Sequence, residues 1–100
     1  MPAYIVAPEA EEDIFLIWTY FLREAGSVIA DRVEAELLDA FAGLAEVPGK
    51  GHRRQDLARA DVYFFTIYEF MVVHRRSSPL QIVAVLHGKR DVKRLLEDRL

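Results

Sequence analysis

The side chains in this 100-residue sequence best equipped for chemistry are three histidines and a recurring set of arginines and lysines. His87 closes an apolar run and is followed at once by Gly88, Lys89, Arg90 and Asp91, while Arg75 and Arg76 close the run before it. Arg53 and Arg54 lie in a polar stretch further upstream. An imidazole titrates near neutrality and suits proton transfer, and guanidinium forks match carboxylate or phosphate. If the three segments converge, Arg53, Arg54, Arg75, Arg76, Lys89 and Arg90 form one basic patch beside His87. Each residue also has a plainer reading. The His87 ring can cap a strand end by bonding to the turn at residues 88–91, and Asp91 can cap a helix. His74, alternating with Val73, reads as a half-buried packing residue, and His52 as solvated.

Other chemistries are excluded. There is no cysteine, which removes disulfides, thiol nucleophiles and thiolate metal sites. The histidines show no ligand spacing, so neither a metal nor a cofactor is expected. No apolar run approaches the roughly 18–20 residues that span a bilayer, and the first residues lack the pattern of a secretion signal. A cytoplasmic protein without a membrane partner is the expectation. With 52% hydrophobic and 29% charged residues, the chain has enough apolar surface to fold. Residues 1–100 therefore read as one domain. The net charge of −3 conceals a division: residues 1–48 hold Arg23 and Arg32 against ten carboxylates, and residues 49–100 hold eleven basic groups against six acidic. A protein built chiefly to neutralise phosphates would carry an overall basic charge, so direct nucleic-acid binding is expected only within a larger complex.

These groups must be positioned by the following elements. Residues 3–7 are β-prone and end at Pro8, which suits the first turn of a helix. Glu9, Glu11, Glu12 and Asp13 crowd that turn, favoured by the helix dipole. Ala10, Ile14, Ile17, Trp18, Phe21, Leu22 and Ala25 then recur at helical spacing to about Glu24, with a stop near Gly26. Ser27 is placed as the N-cap of a second helix, whose stripe is Ala30, Val33, Leu37, Ala40, Phe41 and Leu44 and which ends at Pro48-Gly49. So short a link makes a helical hairpin. Residues 49–61 read as a loop with a helical turn near 55–59. Three β-branched and aromatic runs follow at residues 62–68, 70–75 and 81–87, and short links make them antiparallel neighbours. Residues 91–100 predict a short helix. The order is βααβββα: an α+β domain, its helical hairpin packed on a small antiparallel sheet. Trp18, Phe21, Phe41, Phe64, Phe65 and Phe70 are the expected aromatic core, and the doubly apolar run at 63–68 leaves surface for a protein partner.

Several segments carry a resemblance that spans almost the whole length. They are Ala7-Pro8-Glu9-Ala10-Glu11-Glu12-Asp13-Ile14, then Ile17, Trp18 and Tyr20, then Ala30-Asp31-Arg32 and Val47-Pro48-Gly49-Lys50-Gly51. The last is Val85-Leu86-His87-Gly88-Lys89-Arg90-Asp91. In this order and spacing the chain resembles the RelE/ParE superfamily, small bacterial toxins encoded beside an antitoxin, and within it the ParE-like branch. It departs from that pattern where Phe70 and His74 replace tyrosines and where Ala7 replaces a Ser or Thr cap.

The resemblance implies a type II toxin that stabilises plasmids, inhibits DNA gyrase by binding rather than catalysis, and is neutralised by a cognate ParD-like antitoxin. The basic set Arg53, Arg54, Arg75, Arg76, His87, Lys89 and Arg90 would then contact an acidic antitoxin tail, gyrase or gyrase-bound DNA. Two alternatives follow from the same resemblance. One is a ribosome-dependent mRNA endonuclease of the RelE kind, with His87 transferring the proton while Arg54 and Arg75 stabilise charge. The other is a degenerate member without toxicity.

Overall fold

The computed structural model describes residues 2–100. Strand β1 (Tyr4–Val6) leads into helix α1 (Pro8–Ala25), which packs antiparallel on α2 (Ser27–Glu46). A 3₁₀ turn at Pro48–Lys50 and a loop precede β2 (Tyr63–Ile67), β3 (Phe70–Arg75), β4 (Leu80–His87) and helix α3 (Val92–Arg99). The sheet order is β1-β4-β3-β2. The order βααβββα is as read from the sequence, with two local corrections. The sheet is mixed rather than purely antiparallel, because β1 pairs in parallel with β4. Ser27 is the first residue of α2 and caps nothing; the junction is Gly26, at φ +91°, which closes α1 through Leu22 and opens α2. Glycine enters that region without a Cβ penalty, so a single residue reverses the chain.

The helical hairpin covers one face of the sheet, where Ala10, Ile14, Leu37, Phe41 and Leu44 meet Phe70, Val72, Leu80, Ile82 and Val85. On the other face α3 and residues 57–60 lie over Val62, Phe64, Val73, Val83, Ala84 and Leu86. Of β2 only Phe64 is buried; Phe65 and Ile67 are partly covered by the hairpin, while Thr66 and the following Tyr68 stay exposed. Along β4 the alternation breaks: Leu80 and Ile82 face the hairpin, Val83 and Ala84 both face α3, and Val85 returns to the hairpin. The cause is a bulge. Val73 pairs with Ala84 and His74 with Ile82, so Val83 is an extra residue opposite none.

Candidate functional site

Beyond Ile82 the outer edge of β4 outruns the three-residue β1, and the bulge turns the Val85 N–H toward that open side. The carboxylate of Asp13, on α1, fills the position a neighbouring strand would take. It accepts from Val85 N–H at 3.0 Å and from both Arg99 terminal nitrogens at 2.6 and 2.7 Å. Asp13 is buried, and Arg99 reaches it from α3 around the edge of the sheet. The bidentate partner raises the Arg99 pKa still further, so the guanidinium stays charged at any physiological pH. Neither residue was singled out as a site from the sequence, although a signal was present. Asp13 stands three residues after Ala10 and four before Ile17, on the apolar stripe itself, where an unpaired carboxylate would be costly.

Next to this clasp, α1 and the end of β4 enclose a groove of about 380 Å³, walled by Leu16, Ile17, Tyr20, Phe21, Phe70 and Val85. Glu69, His87 and Arg90 form its polar rim. His87 Nδ1 accepts from the Lys89 N–H at 3.1 Å, which leaves Nε2 to carry the proton and donate to Glu69 Oε2 at 2.8 Å. The ring also meets Phe70 edge-on at 5.7 Å. Both nitrogens are engaged, so His87 orders the turn into α3 and has no free lone pair to remove a proton. Asp91 accepts from the Arg94 N–H at 3.3 Å and caps α3.

The basic residues separate into two groups. Phe70 pairs with His87, and Arg75 with Gln81, so β3 holds His87, Lys89 and Arg90 at one end of the sheet and Arg75 and Arg76 at the other. At strand spacing the ends are about 17 Å apart. Arg53 joins the second group: its guanidinium lies 5.8 Å from the Tyr63 ring centroid and that of Arg76 only 3.6 Å. Arg53 also pairs with Asp61 at 3.3 Å, while Arg54 turns back onto Asp56 at 2.8 and 3.0 Å. The expected single patch is not formed, and His87, Arg54 and Arg75 do not share a site.

At the second end His74 is fully buried, not half-buried, and its ring nitrogens find no partner among the described residues. Burial, and then the nearby Arg76 charge, lower its pKa from the ordinary 6.5. The unfolded chain therefore takes up a proton that the folded chain refuses. Stability is whole above about pH 6.5 and is lost as pH falls below it, by at most about 1.4 kcal/mol per pH unit. Denaturant midpoints across acid pH should show this slope in the parent relative to His74→Leu. Parallel curves for the two would remove His74 as the cause. His52 is exposed and pairs only through its backbone with Phe64. Among the described residues no group of histidines and carboxylates could hold a metal, and no helix is long and apolar enough to cross a membrane.

The frame that sets these groups is thus a hairpin of two helices over a mixed four-stranded sheet, with a groove at the edge of β4. Residues 4–92 match the family of the ParE toxin of the type II toxin-antitoxin system parDE. The chain belongs to that ParE toxin family. It is 32% identical to "Toxin ParE" of Escherichia coli, an alignment that covers 100% of this chain and 98% of that one. The fold is similar to a chain of the solved "Chromosomal ParDE TA system from P. aeruginosa", with a TM-score of 0.72 at 17% identity, over 84% of this chain and 92% of that chain.

Proposed function

We propose that this toxin acts in the cytoplasm by binding and inhibiting DNA gyrase, and that a cognate ParD-type antitoxin neutralises it. The observation that carries the choice of binding over catalysis is the separation of His87 from Arg54 and Arg75, with both His87 nitrogens already engaged. An endonuclease would need them around one phosphate. The groove beside α1 fits an antitoxin segment: it offers apolar walls, the open edge of β4, and Lys89 and Arg90 at its rim for acidic side chains. The other end, with Arg53, Arg75 and Arg76, is left for gyrase or its bound DNA. Arg54, held by Asp56, contributes least.

The test is a supercoiling assay with purified gyrase that also reads accumulation of cleaved plasmid, with added antitoxin as control. Inhibition reversed by the antitoxin is expected. His87→Ala should keep inhibition within about threefold of the parent, far from the roughly 10²- to 10⁴-fold loss that removing a general acid or base causes. No effect on gyrase, together with mRNA cleavage on ribosomes that His87→Ala abolishes, would replace this reading by the endonuclease one.

A further inference from the structure

We propose that the outer edge of β2, with the groove between it and α2, receives the free C-terminal end of a partner protein, laid antiparallel to β2 with its carboxylate held by the Thr66 N–H and Lys50. β2 is an outer strand of the sheet. On the side away from β3, Phe64 exchanges both of its backbone bonds with His52, at 2.7 and 2.9 Å. Backbone groups alternate in direction along an antiparallel strand, so those of Thr66 point to the same outer side. Among the described residues no segment pairs with them, because the Lys50 N–H turns back to Val47 at 3.1 Å instead of following the edge. Beside this edge lies a groove of about 360 Å³, separate from the one next to α1. Ala40, Gly43, Phe65 and Ile67 supply its apolar surface, and Glu36, Asp39 and Lys50 its charges.

Register and charge select the occupant. Tyr68 donates its hydroxyl to Glu36, which fixes the acidic end of the groove at the turn between β2 and β3. Lys50 Nζ lies 3.4 Å from where a Cβ on Gly43 would stand, two helical turns or about 10 Å further along α2. A strand added to this edge runs only as far as Thr66, because His52 holds the place opposite Phe64, and so the added segment stops there. Laid antiparallel, it stops in a carboxylate, which accepts from the Thr66 N–H and meets Lys50. Lys50 makes no ion pair among the described residues, and its charge offsets the negative C-terminal end of α2. Laid parallel, the segment would bring an ammonium group to Lys50. The next-to-last side chain falls on the groove side over Ile67, which favours an apolar residue. The fourth from the end falls on the same side toward Glu36 and Asp39, which favours lysine or arginine. A second copy of this chain cannot pair there through its own β2, since a two-fold axis at Thr66 would set Tyr68 opposite Phe64, where His52 already lies.

The probe is the peptide acetyl-Tyr-Lys-Thr-Ile-Thr with a free carboxylate, titrated to about 2 mM against the isotope-labelled chain, a concentration that reaches the weak affinity of so short a contact. Backbone amide NMR signals should shift saturably at residues 65–68 and 40–50 and stay in place at Leu16 and Val85. Amidating the peptide, or extending it by two glycines, should weaken binding by about fivefold or more. In Lys50→Ala the free and amidated peptides should bind within about twofold of each other, which a general loss of folding could not imitate. Thr66→Pro removes an N–H that the sheet itself does not use, and should abolish binding with an unchanged circular dichroism spectrum. The absence of saturable shifts at residues 65–68 overturns the proposal. So do equal affinities of the free and amidated peptides for the parent, and shifts confined to the groove beside α1. None of these outcomes depends on gyrase, so they leave the functional reading to its own assay.

Discussion

Replacing Arg99 with alanine should destabilise the protein by about 3–5 kcal/mol, the usual cost of leaving a buried carboxylate without its partner. For a domain of this size that is a fall in Tm well beyond 10 °C, at about 4–8 °C per kcal/mol. The magnitude follows from burial: the side chains of Asp13 and Arg99 are 6% and 16% exposed, so little solvent screens the pair. Glu9 also reaches Arg99, at 3.4 Å, but is 64% exposed, and Glu9→Ala should cost under about 1 kcal/mol. Replacing both members, Asp13→Leu with Arg99→Met, should recover part of the loss. It should still fall short by about 1–3 kcal/mol, because the Val85 N–H would be left without an acceptor. Denaturant unfolding of the three variants decides the matter, and an Arg99→Ala midpoint within about 1 kcal/mol of the parent would mean that water reaches Asp13.

The second large effect concerns Gly51. Its backbone is extended, at φ −85° and ψ 160°, a conformation open to any residue. The requirement for glycine is therefore spatial: a Cβ here would lie 2.5 Å from His74 Cε1 and 2.6 Å from Nε2. The ring cannot withdraw, because His74 is fully buried on a strand paired on both sides, to Tyr63 and to Ile82. Gly51→Ala should cost about 2–3 kcal/mol, at the upper part of the range for overpacked cores. Gly49→Ala, with open space at its Cβ, should be neutral within about 0.5 kcal/mol and serves as the control. Shortening the ring by His74→Ser in the Gly51→Ala background should return part of the loss, and a strictly additive double variant would show that the two residues do not collide.

The elements that the chain's own periodicity specifies were legible in advance. α1 and α2 follow from apolar residues at helical spacing, and β2 to β4 from β-branched and aromatic runs broken by Glu69 and Ser77-Ser78-Pro79. What escaped depends on distant partners. The parallel pairing of β1 requires a crossover through the whole hairpin. The importance of Asp13 requires Arg99, 86 positions away. The division of the basic residues was within reach, because consecutive antiparallel strands put the end of one beside the start of the next. Arg75 therefore had to lie near Leu80 rather than His87. The reading of His87 as an ordering group rather than a base also rested on local bonds, and its hydrogen bond to Lys89 has that form. Its link to Glu69 was not foreseen, since nothing in the spacing of residues 69 and 87 marks them as neighbours.

Chain length, as distinct from composition, is forgiving at Val83 and unforgiving beyond it. Ile82 already pairs with His74 and Ala84 with Val73, so a one-codon deletion of Val83 would join them into a regular ladder and leave every later residue on its present face. The Val85 N–H would still meet Asp13, and the C-terminal helix would keep its mooring to α1. Loss of the codon for Leu86 has no unpaired residue in its place to absorb it, and would put His87 on the opposite face of the strand. In families that share this fold, where an insertion or deletion falls in the last strand is therefore the thing to read most closely, ahead of the substitutions around it.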